Sequence, residues 1–228
     1  MLEPVNDSGP SASRVRLDRE GIIDTVMKVA REEPQTRITM KRVGEELGVD
    51  GSAIYRHFRD REALTEAATD RLIGWGAEEA HASTGTWRER LEAHLIRLGE
   101  LCLQHPSIAA ETLNFDSVGP GGISAMEFIL ETLSQAGLTD EALVDGYAAV
   151  SGFALSQGAL LASDALKGDG RPIDGSAAWI VNFGAVNISK YPFVRQHLDA
   201  LLAIDGMSVY RSGANKLLDS ISATVNGT

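Results

Sequence analysis

Apolar positions return every three or four residues along most of this chain, and the interruptions fall at glycine and proline. That period predicts helices nearly from end to end. Ile22, Val26, Val29 and Ala30 mark the inner face of a first helix from about Asp18 to Glu33, closed by Pro34. Val43 and Leu47 stand four apart, and so do Ile54 and Phe58, which gives two short amphipathic helices around Gly48-Val49-Asp50. Gly48 suits the left-handed position that ends a helix, and Asp50 suits the cap of the next. So short a connection locks the pair at a steep angle, as in a helix-turn-helix. Asp60 is expected to cap a further helix, with Glu62 in its first turn, that runs towards Gly74 or beyond.

After a linker at 81–86 the same period continues. Trp87–Gln104 is amphipathic through Leu91, Leu95, Leu98 and Cys102, and Pro106 starts a short helix to about Leu113. A Gly/Pro loop at Phe115–Gly122 precedes a helix Ile123–Ala136 that ends at Gly137. Asp140 is expected to cap a long helix to Leu166, with a second loop at Lys167–Gly175. Helices at Ser176–Ser189, Phe193–Leu202 and Met207–Val225 complete the chain. The fold class is therefore all-α: an N-terminal three-helix helix-turn-helix domain at 17–75 and a larger C-terminal helical bundle at 76–228. Residues 1–16 are polar and expected to be a disordered arm, in which Arg14 and Arg16 could follow a minor groove.

With Ile54 and Phe58 turned inward, Ser52, Ala53, Tyr55, Arg56 and Arg59 face away from the core, with His57 at the margin. Such a set can read DNA: Arg bridges guanine O6 and N7, Ala meets a thymine methyl, and Ser or Tyr bonds bases or phosphates. The alternative is a plain helical hairpin with a solvated basic face.

The run Ala-Ile-Tyr-Arg-His-Phe-Arg-Asp-Arg-Glu-Ala-Leu at residues 53–64 resembles the signature of the TetR family of one-component bacterial regulators. The resemblance extends from about Leu17 to Ile73. It implies that Tyr55, His57 and Arg61 contact phosphates, that Lys41 lies at a polar position opening the second helix, and that Ser52, Ala53 and Arg56 vary with the operator. Arg61 stands where that family usually has Lys, which keeps the charge and changes its geometry. Gly51 and Ala53 replace longer side chains, which leaves Arg56 as the main candidate for direct base readout.

A net charge of −11 looks adverse for a DNA-binding chain, but it is unevenly spread. Residues 1–72 carry 12 Lys/Arg and 14 Asp/Glu, residues 73–228 carry 9 and 18, and residues 37–61 carry 6 and 4. The acidity therefore sits mainly away from the proposed DNA face, where it would oppose non-specific adhesion. The single Cys102 excludes an internal disulfide and suggests a reducing compartment. With no apolar leader or membrane-length run, a cytoplasmic location without membrane association is expected. Ala-Leu-Ser-Gln-Gly at 154–158 is one residue short of a nucleophile elbow, but it lies inside a helical pattern. No metal-ligand spacing, dinucleotide motif or P-loop is present, so neither catalysis nor a cofactor is expected.

The bundle does offer material for a small-molecule pocket. Candidate lining residues are His94, Leu98, Cys102, Phe115 and Met126 from its first half, and Phe153, Gln157, Trp179 and Phe183 from its second. Ordinary core packing is the competing account of each one. A homodimer is expected through the Asp140–Leu166 and Met207–Val225 helices, where Ala148, Gly152, Ser156 and Ala159 form a stripe of small residues. Leu143, Val144, Leu155, Leu160, Leu217, Leu218 and Ile221 would add apolar area. The function expected is a TetR-like repressor released from a double-stranded DNA operator by a small, mainly apolar effector. A ligand-independent DNA-binding protein and a helical carrier or enzyme are the alternatives.

Overall fold

The structure, a computed structural model, describes residues 17–116, 118–167 and 187–227. The regular elements among these residues are helical throughout. They are α1 (Arg19–Glu32), α2 (Met40–Leu47), a 3-10 segment (Gly51–Arg56), α3 (Arg61–His81), α4 (Trp87–Gln104), α5 (Pro106–Ala109) and a 3-10 turn (Thr112–Asn114). Then follow α6 (Pro120–Gln135), α7 (Asp140–Leu166), a 3-10 turn (Ile188–Lys190), α8 (Pro192–Gln196), α9 (Leu198–Leu202) and α10 (Gly206–Gly227). The expected arm at 1–16, most of the expected helix Ser176–Ser189, and the candidates Trp179 and Phe183 lie outside the described residues.

Each N-terminal helix begins at a side chain that satisfies an otherwise orphaned amide. Asp18 accepts from the Gly21 N–H at 2.8 Å, Thr39 from Arg42 at 3.1 Å, and Asp60 from Ala63 at 2.8 Å. Thr86 and Glu89 form a reciprocal capping box on α4. Gly48 ends α2 at φ 67, the left-handed conformation expected of it.

Ile22, Val26, Val29 and Ala30 of α1 meet Val43, Ile54, Phe58 and Leu64 in a core that continues into the bundle through Leu91, Leu95, Phe128, Leu133 and Leu218. The helix α3 spans 21 residues and runs across the expected boundary at 75/76, so the two parts of the chain share one rigid rod. Glycines then let the bundle helices approach closely. A Cβ on Gly158 of α7 would lie 2.9 Å from the Cys102 sulfur on α4, and one on Gly99 of α4 would lie 3.0 Å from the Tyr210 ring on α10.

Several expectations need correction. Asp140 does not cap α7: Thr139 holds that place without a side-chain bond, and Asp140 is the first helical residue, at φ 50. Helix α6 starts at Pro120, inside the expected loop, because a proline in the first turn is already set in helical φ and gives up no helical hydrogen bond. The expected helix Phe193–Leu202 is broken at His197. Leu218 and Ile221, expected to await a second subunit, are buried in the chain's own core.

Candidate functional site

The second element of the helix-turn-helix is a 3-10 segment, not the α-helix its apolar spacing suggested. Asp50 caps it by accepting from the Ser52 N–H at 2.8 Å, and the Ser52 hydroxyl, followed by that backbone bond, holds the Asp50 carboxyl below the usual carboxylate range. Two glycines set its crossing with α2. A Cβ on Gly44 would lie 2.9 Å from Gly51 Cα, and one on Gly51 would lie 3.1 Å from the Met40 carbonyl oxygen. Gly51, read from sequence as a lost contact to bases, therefore has a packing reason of its own.

Below this segment Ile54 and Phe58 are fully buried, as their spacing required. Above it Ser52, Tyr55, Arg56 and Arg59 are exposed, with Ala53 and His57 half-buried. In 3-10 geometry residues three apart eclipse one another, which sets Ser52 in line with Tyr55 and Ala53 in line with Arg56. Lys41 extends from the adjoining start of α2 with 87% of its side chain exposed, where it can reach a phosphate. Arg61 is placed differently from the rest. Its Nε donates to the Ile38 carbonyl at 2.9 Å and its guanidinium pairs with Glu111 at 3.0 Å, joining the start of α3 to the segment after α5.

The frame behind this surface is held by ions. Arg42 pairs with Glu33 and Glu46, and Lys28 with Glu46 at 2.7 Å, tying α1 to α2. These bonds raise the Arg42 and Lys28 pKa values and lower those of Glu33 and Glu46.

In the bundle, a mainly apolar cavity of about 50 Å³ opens between α3, α4, α6 and α7. It is lined by Ile73, Leu98, Gly122, Ala125, Met126, Ile129, Tyr147, Ser151, Ala154 and Leu155. Of the nine pocket candidates it gathers Leu98 and Met126. His94 instead sits in the core, its Nδ1 2.9 Å from the Gly76 carbonyl oxygen and its ring against Phe128. Burial, followed by weaker repulsion from His81, lowers the His94 pKa despite the bond to Gly76. Cys102 fills the α4–α7 contact, and burial pushes its thiol up to about 12, so it is a packing group and not a nucleophile. Phe153 faces α10, its ring 5.2 Å from that of Tyr210. Gln157 lines a different and smaller cavity beside Tyr210 and Asp164. Phe115 is half-buried in the loop before α6. Sequence reading passed over Tyr147 and Ser151, whose polar groups four apart on an apolar helix were the available signal.

Along α7 an exposed stripe runs through Val144, Ala148, Gly152, Ser156 and Leu160, while Ala159 turns inward. A Cβ built on Gly152 meets no atom within 4 Å. Among the described residues no helix is long and apolar enough to cross a membrane, and no cluster of His, Cys, Asp and Glu could hold a metal ion.

Comparison with known proteins agrees with this geometry. The family model described as bacterial regulatory proteins, tetR family, matches residues 22–68, and that described as tetracyclin repressor-like, C-terminal domain, matches residues 80–218. The HTH-type transcriptional repressor DrrR1 of Streptomyces coeruleorubidus is 28% identical over 157 residues, covering 67% of this chain and 57% of the relative. This chain therefore matches little more than half of that relative's length. A possible TetR family transcriptional regulator from Streptomyces coelicolor A3(2) superposes with a TM-score of 0.74 at 23% identity, over 91% of this chain and all of that one. ActR of Streptomyces coelicolor, in complex with actinorhodin, superposes with a TM-score of 0.70 at 19% identity, over 92% of this chain and 99% of that one.

Proposed function

Because the chain belongs to the tetR family of bacterial regulatory proteins, we propose that it is a dimeric transcriptional repressor that a small, mainly apolar molecule releases from its operator. The observation that carries the DNA-binding half is the recognition segment itself. Ile54 and Phe58 anchor it from below while Ser52, Tyr55 and Arg56 are exposed above. Arg56 is the base reader in this scheme, bidentate to guanine, and Ser52, Ala53, Tyr55, His57 and Lys41 supply shape and phosphate contacts. Arg61 joins the phosphate contacts only by leaving Glu111.

One such segment reads a few base pairs, so useful specificity asks for two copies about 34–36 Å apart on a pseudo-palindrome. The exposed stripe on α7 supports a two-fold contact, since a second copy of the same stripe would bury Val144 and Leu160 against itself. The effector half rests on the cavity between α3, α4, α6 and α7. At about 50 Å³ it is well below the roughly 300 Å³ of a typical ligand site, so an effector must part these helices to enter. Parting them disturbs α3, which also carries the recognition segment. The likeness to ActR, whose fold holds actinorhodin in that protein, supports a small-molecule effector here.

The small size of the cavity also favours a second reading, a DNA-binding repressor that takes no ligand. Selection of duplexes from a random library, followed by gel shift, tests the first half: a palindromic consensus is expected, and binding without sequence preference would refute it. Adding metabolite extract to the shifted complex separates the two readings. Release by a small apolar fraction supports the effector, and persistence through every fraction supports the ligand-free repressor.

A further inference from the structure

Three sets of polar contacts lead from the bundle to the recognition segment, joined by the backbone between sequence neighbours, Asp70–Arg71 on α3 and Arg19–Glu20 on α1. The Asp70 carboxylate accepts from the Gly121 N–H at 3.0 Å and the Gly122 N–H at 2.8 Å, so a side chain of α3 caps α6. The contact is built for closeness. A Cβ on Gly119 would lie 2.4 Å from the Asp70 carboxyl carbon, and one on Gly121 would lie 2.0 Å from the Asp70 carbonyl oxygen. The next residue, Arg71, bonds α1 instead, through Asp24 at 2.6 Å and also Glu20. Beside Glu20, the Arg19 guanidinium donates to the His57 carbonyl at 3.2 Å and lies 4.3 Å from the centre of the Phe58 ring. His57 directly follows the recognition segment. All four side chains on this path, together with Gly121, line one groove of about 440 Å³.

We propose that Asp70 is a positioning residue: by holding the N-terminus of α6 it sets, through Arg71, Glu20 and Arg19, the pose of the recognition segment. Gly122, one of the two amides Asp70 holds, also lines the cavity between α3 and α6. An occupant of that cavity would therefore press on the same junction, so the regulatory part of this inference rests on the effector reading above. The outer links are exposed ion pairs and individually weak. That suits a device that biases a pose, because coupling between sites needs only about 5- to 150-fold in affinity.

The test is amide hydrogen exchange on full-length protein without DNA, comparing wild type with Asp70→Asn. The amide keeps the size of the side chain but turns an N–H₂ towards one of the two backbone donors. A purely structural cap would loosen only residues 120–124. The proposal expects about fivefold or faster exchange at 51–58 as well, and weaker binding of the duplex that wild type selects. Unchanged exchange at 51–58 overturns it. Should Asp70→Asn fail to fold, Arg71→Gln cuts the path one link further on. It should speed exchange at 51–58 and leave 120–124 unchanged, and Arg71→Lys should partly restore it; no change at 51–58 in Arg71→Gln overturns the proposal. If wild type selects no duplex, the operator reading fails instead, and the exchange result stands by itself.

Discussion

Phe58→Ala should cost this protein more than any change on the exposed side of the recognition segment. The ring is 1% exposed and lies in the core beneath Ile54, with the Arg19 guanidinium 4.3 Å from its centre. Truncating a buried Phe to Ala costs about 3–5 kcal/mol through lost transfer energy and the cavity left behind. The lost cation–π contact adds about 0.5 kcal/mol where, as here, the cation is exposed. For a chain of this length each kcal/mol moves Tm by about 2–4 °C, so with both losses a fall of about 7–22 °C is expected. Because the core is continuous from α1 into the bundle, the fall should appear in the main transition and not in a separate minor one. Ser52→Ala, on the exposed face, should stay within about 0.5 kcal/mol of wild type. The assay is thermal unfolding by circular dichroism, with a gel shift run well below both transitions. A six-residue 3-10 segment has too few hydrogen bonds of its own to hold a pose, so Phe58→Ala should also weaken operator binding there. A Tm within about 2 °C of wild type would refute the anchoring argument, since no buried Phe should be that cheap to lose.

Three further outcomes are expected. Arg56→Ala should weaken the selected operator by about 1–3 kcal/mol and relax preference at one base pair, read by gel shift on single-base variants; equal affinity for all of them relative to wild type would remove its reading role. Gly152→Trp, placed where a Cβ finds open space in the single chain, should leave the fold intact and shift sedimentation from about twice the chain mass towards one; an unchanged dimer would move the interface off the α7 stripe. Burial holds the His94 pKa below the ordinary 6.5, so the unfolded chain takes up its proton first as pH falls. The stability it permits is complete above about pH 6.5 and declines as pH drops below that value towards the depressed folded one. His94→Gln should lessen the decline measured in urea titrations between about pH 6.5 and 5, leaving the part due to His105, whose pKa burial also lowers, above the range where the paired carboxylates Glu33 and Glu46 protonate.

The parts of the fold that were legible in the sequence are those fixed by local chemistry. The Asp50 and Asp60 caps, the left-handed Gly48 and the inward pair Ile54 and Phe58 each follow from residues within four positions of one another. What stayed hidden depends on partners far along the chain. Nothing near Asp70 announces that its carboxylate will cap a helix starting at Pro120, nor does Arg61 announce Glu111. The pocket was the least legible part, because an apolar residue at helical spacing faces inward whether it meets a cavity or a neighbour. His94 and Cys102 are inward as expected, and both are fully occupied by packing. The shortening of the recognition element to 3-10 was likewise unreadable, since an i, i+4 apolar pair is compatible with an α-helix and with a tighter segment followed by one further residue, here His57, in the right-handed helical region.

The small cavity constrains how an effector could act. A pocket of ligand size present alike in the DNA-binding and the released arrangement would bind equally in both and shift no equilibrium. Here the walls are Ile73 of α3, Leu98 of α4, Ala125 and Met126 of α6, and Ala154 and Leu155 of α7, already in contact around about 50 Å³. A molecule of any useful size binds only the parted arrangement, so its whole affinity is differential and is spent on displacing α3 and α6. The same tightness sets the penalty: the observed affinity falls by the fraction of time the parted state is populated. Ala154→Gly, which deletes a methyl from the wall, should therefore raise effector affinity by populating the parted state, and should weaken the operator complex in the absence of effector. A variant that bound effector more tightly while holding its operator unchanged would separate the cavity from the DNA-binding equilibrium, and the helix-parting account would fail.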